Sequence, residues 1–422
     1  MSEIQVSGLR KLRGRIPVQG SKNGVLPMMA ASVLSDETIV ITNVPAIQDV
    51  FCMMGILKFM GCGCRLKGGE LVVSPAGLCR TDLPQEAGQM RSSVILLGAL
   101  LGRCGEAAAC YPGGCSIGER PIDFHLGAFR ALGAEAKEEG GCVLVRGEPA
   151  GGVIRFPYPS VGATENALLA AVKGKGETVI LGAAREPEIR ELCLFLQAMG
   201  ADVEGGGTDV IRVRGKRYLH GCRFRAAGDR IVAGTYLMAA MAAEGKLLLE
   251  GVKPGHLREV LRVLERAGAS ISTGEESIAL EMNGRPAPLW VETGPYPGFP
   301  TDLQSPLMAL LCRGEGVSQI RETVFERRYE TAGELNKLGA SIRVRGDTAL
   351  IDGKPRLKGG RAAARDLRGG AALVVAGLES PAETVISDCF HIERGYEDIC
   401  RDLAAAGADI RWLEREAKEK RA

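Results

Sequence analysis

Apolar positions along the chain follow one pattern that returns six times. An apolar helix ends in Gly-Ala or a close variant, and a short strand-like segment follows. The glycines are Gly61, Gly133, Gly200, Gly268, Gly339 and Gly407, spaced 72, 67, 68, 71 and 68 residues apart. A second pattern keeps the same interval: an Ala/Leu-rich helix, a polar glycine-containing turn and a strand. It runs over 30–41, 94–109, 166–181, 235–250, 306–320 and 371–386. Glycine just past a helix suits a left-handed cap, and the β-branched residues beyond it suit a strand. The spacing therefore predicts six copies of one α/β module with two helices each, and it reads these glycines as caps rather than phosphate binders. A period near 70 residues exceeds that of open solenoids, so a closed arrangement of modules is expected.

Six modules divide into three and three, with the boundary near Gly228-Asp229-Arg230. The expected domains are 21–229, and 1–20 together with 230–422. Two such bodies with a cleft between them would set ligand-binding loops at their facing ends.

Composition narrows the chemistry mainly by exclusion. A length of 422 residues is ample for two cores, and 53 basic against 51 acidic residues leave a charge of +2, with no global attraction to nucleic acid or membrane. Any anionic partner must be bound locally. Thirteen scattered cysteines, with no charged-then-apolar leader before them, point to a reducing cytosol. No apolar run reaches membrane-spanning length. Cys62-x-Cys64 lacks a second ligand pair and the four histidines stand apart, so no metal is expected. Neither GxxxxGK[ST] nor a helix-opening GxGxxG occurs, which removes the commonest nucleotide folds.

One thiol stands out. Pro112-Gly113-Gly114-Cys115-Ser116-Ile117-Gly118-Glu119-Arg120-Pro121 carries too many glycines and prolines for a helix or central strand, so Cys115 is expected on a mobile surface loop. Arg120 and His125 are candidate positive neighbours that would activate it. The other cysteines, Cys52, Cys62 and Cys64 among them, read as core or incidental. Polar stretches interrupt the modules elsewhere. Lys22 and Asn23 in Gln19–Gly24 and Arg91 in Gln89–Ser93 stand at helix starts, where an anion would relieve the clash of a cation with the helix dipole; a solvated turn lysine is the plain alternative for Lys22. Further stretches are Ser160–Thr164, Phe299–Gln304, Phe325–Tyr329, Arg365–Arg368 and His391–Glu397. Together they offer Lys22, Arg91, Arg120, Arg328 and Arg394 against few carboxylates, Asp302 and Asp366. That surplus suits a substrate with several negative charges.

GSKN at Gly20, MRSS at Met90, PGGCSIGERPID from Pro112, SVGATEN from Ser160, FPTDLQ from Phe299, DLRGG from Asp366 and ERGYED from Glu393 resemble the enolpyruvyl transferases. The match runs in order along the whole chain. The cysteine loop points to members whose acceptor is UDP-N-acetylglucosamine; the sister enzyme acting on shikimate 3-phosphate lacks such a loop.

The resemblance implies a two-domain inside-out α/β barrel of six modules, three per domain. It implies transfer of the enolpyruvyl group of phosphoenolpyruvate to the sugar 3-hydroxyl, with release of phosphate through a tetrahedral ketal, as the first committed step of peptidoglycan synthesis. No metal or organic cofactor is implied. Cys115, Asp302 and Lys22 carry over as catalytic residues, and Lys22, Asn23, Arg120 and Arg394 as ligands of phosphoenolpyruvate. Arg91, Arg120, Pro121, Ile122, Asp123, Phe124, Ser160, Val161, Gly162, Thr164, Asp302 and Val324 carry over to UDP-N-acetylglucosamine. His125, Arg328, Asp366 and Arg368 would line the cleft, and Gly113, Gly114 and Gly118 would act as hinges. A thiol near its reference pKa of about 8.5 is mostly protonated at neutrality yet acidic enough to donate a proton, which suits Cys115 as general acid; it could also attack and form an adduct. Ser21, Gly24 and Arg327 depart from the family's usual residues. The alternative is a non-catalytic paralogue that binds UDP-N-acetylglucosamine and acts through a regulatory protein partner.

Overall fold

The computed structural model describes residues 2–111, 118 and 121–414. Chain contacts divide them into two compact units, one of residues 20–111 and 121–227, the other of residues 2–19, 118 and 228–414. Each unit holds three small sheets.

The repeat that the glycines announced is visible in the pairing of the strands. In one copy, Gly152–Arg155 runs parallel to Glu177–Leu181 through the helix Val161–Ala171. The helix Pro187–Ala198 follows, and the hairpin of Asp202–Glu204 and Val210–Arg214 returns antiparallel on Glu177–Leu181. The same order of one parallel and two antiparallel pairings recurs in four other sheets. In the sixth, the parallel strand shrinks to one bridge from Asp82 to Ala108 beside the three strands 106–110, 135–139 and 142–146. All six module glycines take positive φ, from 86° at Gly133 to 104° at Gly268. Gly61 and Gly133 separate two costs of losing that freedom. A methyl on Gly61 would strike the Gly77 carbonyl, whereas one on Gly133 meets nothing closer than 3.9 Å. Gly133→Ala should therefore cost only the left-handed strain, about 1–2 kcal/mol, and Gly61→Ala measurably more, read from paired urea unfolding curves.

Three modules take in distant strands: Glu3–Ser7 lies between Thr384–Ser387 and Asp409–Glu414, and two parallel strands also come from afar. Arg13–Pro17 runs parallel to Lys246–Glu250, and Arg223–Arg225 runs parallel to Ile39–Thr42. Each of these strands sits in sequence just before a crossing between units, so the first 19 residues pack with the second half of the chain.

Within each module one helix is apolar all round and one is two-faced. Every residue of Arg230–Ala242 and Gln304–Leu311 is buried, as are Gly24–Ala31 of the helix Lys22–Ala31. Such helices must lie inside. Arg258–Arg266 exemplifies the other kind, burying Val260, Leu261, Val263 and Leu264 and presenting its charges to water. Small residues let the inner helices meet closely: Gly98 donates its N–H to Asn166 Oδ1 at 2.7 Å, and the Asn166 amide donates to Val94 O at 3.0 Å.

One inner helix carries an anomaly. Glu379, at the end of Leu367–Glu379, is fully buried, and neither carboxylate oxygen has a hydrogen-bond partner among the described residues. Burial pushes its pKa well above the ordinary value, against a smaller pull from Arg313. The folded chain thus holds this proton more tightly than the unfolded chain, so stability is lost as pH rises above the unfolded pKa of about 4.3 towards the folded value. Glu379→Gln should raise the melting temperature at neutral pH, with a gain that shrinks as pH falls towards 4.3; a gain independent of pH would refute this.

Candidate active site

Many of the sequence-selected residues, Lys22, Asn23, Arg91, Ser160, Asp302 and Asp366 among them, stand at or just before the N-termini of the inner helices, where unpaired N–H groups and the helix dipole favour anions. In the unit of residues 20–227, Ser21 caps the helix Lys22–Ala31, its hydroxyl accepting from Gly24 N. Lys22 opens that helix with its side chain mostly buried, and Nζ lies 2.6 Å from Asp49 Oδ2. The anion that its position called for is thus supplied in part by the protein, from the first turn of Gln48–Phe59. Asn23 beside it is half-buried. Arg91 opens the turn Arg91–Ile95 ahead of the inner helix Leu96–Cys104 and donates to Pro121 O at 3.3 Å. Pro121 and Asp123 are exposed and Phe124 is half-buried, while Ile122 is enclosed. Ser160 caps Val161–Ala171, its hydroxyl accepting from Ala163 N at 3.4 Å; Val161 and Gly162 next to it are half-buried.

Three residues of this unit are enclosed, and for His125 an expectation is corrected. Thr164 is 0% exposed; its hydroxyl donates to Ser160 O and accepts from Ala184 N, so it braces the helix start. Ile122, 1% exposed, is likewise packed inward. His125 is 5% exposed and pairs with Asn166 through Nδ1 at 2.7 Å. Burial first, and Arg91 second, push its pKa down to about 3, so at neutral pH it is uncharged and lends Cys115 no positive charge. The helix Asp123–Ala131 turns that residue inward, a face that the sequence alone did not distinguish. His125→Ala should destabilise this unit by roughly 1–3 kcal/mol, because one N–H of the buried Asn166 amide loses its partner, without moving the acidic limb of a pH–rate profile above pH 5.

In the other unit the inner helix Gln304–Leu311 is entered through the turn Thr301–Leu303, which carries Asp302. Its carboxylate is held on both oxygens: Arg328 Nη2 donates to Oδ1 at 2.6 Å and Arg368 Nη2 to Oδ2 at 2.9 Å. The two arginines are 3% and 5% exposed. Burial alone would raise the Asp302 pKa, but Arg368 and then Arg328 outweigh it and hold the carboxyl well below its ordinary value. Asp366 caps Leu367–Glu379 by accepting from Arg368 N and Gly369 N, which fixes the backbone from which Arg368 reaches Asp302. Val324 N donates to Glu322 Oε1. Arg394 ends the turn Cys389–Arg394, half-buried, and Gln19 fixes the chain just after it, donating to Gly395 O at 3.0 Å and accepting from Glu397 N at 2.8 Å. Arg327, beside Arg328, is exposed. Cys115 and Arg120, with Gly113 and Gly114, lie outside the described residues.

Sequence reasoning missed three contributors. Asp49 and Gln19 act through contacts that no local pattern signals. Arg230 had a signal: Gly228-Asp229-Arg230 stands in the fourth module where Gly20-Ser21-Lys22 stands in the first, and it repeats the geometry, with Asp229 capping the helix that Arg230 opens. Arg230 is 8% exposed and stacks over the Tyr296 ring at 5.9 Å.

Known proteins share this arrangement from end to end. The family described as EPSP synthase (3-phosphoshikimate 1-carboxyvinyltransferase) matches residues 6–403. Proteins named UDP-N-acetylglucosamine 1-carboxyvinyltransferase from Oleidesulfovibrio alaskensis and Rhodospirillum centenum are each 43% identical, covering 97% of this chain and 99% and 98% of their own. Among solved structures, the enolpyruvyl transferase NikO from Streptomyces tendae superposes with a TM-score of 0.87 at 24% identity, over 97% of this chain and 99% of its own. EPSP synthase from Acinetobacter baumannii does so with 0.75 at 20%, over 98% and 100%. The fold is therefore the two-domain inside-out α/β barrel of these proteins, and the chain belongs to the enolpyruvyl transferase family.

Proposed function

We infer that the chain transfers the enolpyruvyl group of phosphoenolpyruvate to the 3-hydroxyl of UDP-N-acetylglucosamine, releasing phosphate in the first step of peptidoglycan synthesis. The observation that carries this reading is the end-to-end identity of 43% with proteins named for that reaction. The paired carboxylate of Asp302 agrees with it. Held ionised by Arg328 and Arg368, Asp302 accepts a hydrogen bond from a sugar hydroxyl readily but is a weak base, so it orients the hydroxyl first and takes the proton late in the addition, as the new C–O bond of the ketal forms.

In this reading Lys22, Asn23, Arg120 and Arg394 hold phosphoenolpyruvate. Lys22 then exchanges part of its contact with Asp49 for the substrate's anion. Cys115 delivers a proton to the methylene carbon, and the acceptor oxygen attacks the adjacent carbon. Arg91, Pro121, Asp123, Phe124, Ser160, Val161, Gly162 and Val324 hold the UDP-sugar. Both substrates are intracellular metabolites, so the reaction is placed in the cytoplasm; no helix among the described residues is long and apolar enough to cross a membrane.

Acceptor choice tests the reading. Incubated with phosphoenolpyruvate and either UDP-N-acetylglucosamine or shikimate 3-phosphate, the protein should add one enolpyruvyl group to the UDP-sugar alone, seen by mass spectrometry. Modification of shikimate 3-phosphate instead would overturn it.

A further inference from the structure

The strand pairing brings two cysteines face to face. Cys110 ends the strand Glu106–Cys110 and Cys142 begins Cys142–Arg146, and the antiparallel register sets them directly opposite. Tyr111 N donates to Gly141 O at 2.8 Å, so the next rung outward is a hydrogen-bonded one and the Cys110–Cys142 rung falls between bonded rungs. In such rungs the Cα atoms stand only about 4.5 Å apart, inside the range of about 4.4–6.8 Å that a disulfide spans. Opposite residues point to the same side of a sheet, so the two thiols face each other across the strand pair. Both side chains are half-buried and both thiols are free. This is the only cysteine pair among the described strands that the register sets directly opposite.

We propose that Cys110 and Cys142 form a reversible modification site, a dithiol that small-molecule disulfides such as oxidised glutathione convert to an intrachain disulfide two residues before the Pro112–Arg120 segment. In the reaction one protein thiolate attacks glutathione disulfide, expelling one glutathione thiolate and leaving a mixed disulfide. The second protein thiolate attacks the protein sulfur of that mixed disulfide and expels the other glutathione. Two protein thiols are oxidised, one glutathione disulfide is reduced to two thiols, and the two protein protons end on glutathione.

Partial burial, followed by the neighbouring Cys142 sulfur, raises the Cys110 pKa, so exchange quickens with pH. Other cysteines are worse placed. Burial pushes the Cys62 thiol up to about 11 and those of Cys64, Cys193 and Cys389 up to about 12. Cys52 and Cys104 are exposed but face no thiol across a strand pair. Closing the 110–142 loop restricts the unfolded chain, so oxidation should also stabilise this unit.

The test equilibrates the full-length protein with graded mixtures of reduced and oxidised glutathione, alkylates the free thiols and maps tryptic peptides. The expected result is a link between peptide 138–146 and peptide 104–130, since trypsin does not cut the Arg120-Pro121 bond, that survives in Cys104→Ser and Cys115→Ser, disappears in Cys110→Ser and reverses with dithiothreitol. Melting of the oxidised wild type should rise by about 5 °C or more, and Cys142→Ser should lose that rise. A Cys142 that stays fully alkylatable in the wild type at the most oxidising mixture overturns the proposal, as does a link that persists in Cys110→Ser.

Discussion

Replacing Cys115 with serine should stop turnover, and replacing it with aspartate should restore a measurable part. The methylene carbon of phosphoenolpyruvate is a poor proton acceptor, so its protonation needs a donor acidic enough to give up the proton and still protonated at working pH. A thiol near 8.5 meets both conditions. A serine hydroxyl is too weak an acid, and its loss of general-acid catalysis should cost about 10²–10⁴-fold in kcat. An aspartic acid is acidic enough but ionised too early, so the Asp variant should work best at lower pH. The sign follows from the role: activity falls as pH rises through the pKa of the donor, so the alkaline limb of kcat/KM should move down in pH for Cys115→Asp. Parallel pH profiles of the three proteins check this. Serine turnover within threefold of wild type would remove Cys115 from the chemistry.

Asp302 should be the second most costly side chain to change. Asp302→Asn keeps the shape but leaves two nearly buried guanidiniums facing a neutral amide. Removing one partner of a buried ion pair costs about 3–5 kcal/mol, and here one carboxylate serves two partners. Arg328 has little to fall back on, because its Nε already lacks a partner among the described residues. The substitution should lower stability by about 3 kcal/mol or more in urea unfolding and lower kcat by about 10²–10⁴-fold while phosphoenolpyruvate still binds. The pH dependence has a definite sign. The folded carboxyl ionises more readily than the unfolded one, so its stabilisation is fully present above the unfolded pKa of about 3.9 and is lost as pH falls through the lower folded value. The wild type should therefore lose more stability than Asp302→Asn on acidification below about pH 4. Equal acid sensitivity of the two proteins would contradict the paired geometry.

What the sequence revealed followed the range of the interaction. The six glycine caps were legible because a left-handed residue after a helix is a local requirement, and every one has positive φ. The helix starts bearing Lys22, Ser160 and Asp366 were legible for the same reason, since caps act within three residues. Contacts between distant positions left no such trace. Asp49 reaches Lys22 from the next helix, and Arg368 reaches Asp302 from another module. The strand Arg223–Arg225 joins Ile39–Thr42 after two intervening modules. His125 was misread because a polar ring beside a cysteine loop looks like an activator until the helix is seen to turn it towards Asn166. The surplus of cations was likewise overstated, since Asp49 and Asp302 already answer two of them, Lys22 and Arg328.

Addition followed by elimination leaves a mark that other routes do not. Protonating the methylene carbon makes a transient methyl group, and elimination removes any one of its three hydrogens. In deuterium oxide with phosphoenolpyruvate and UDP-N-acetylglucosamine, the enolpyruvyl product should therefore carry deuterium on its methylene carbon, seen by proton nuclear magnetic resonance and mass. A product formed without deuterium there, or no product from UDP-N-acetylglucosamine at all, would contradict the account.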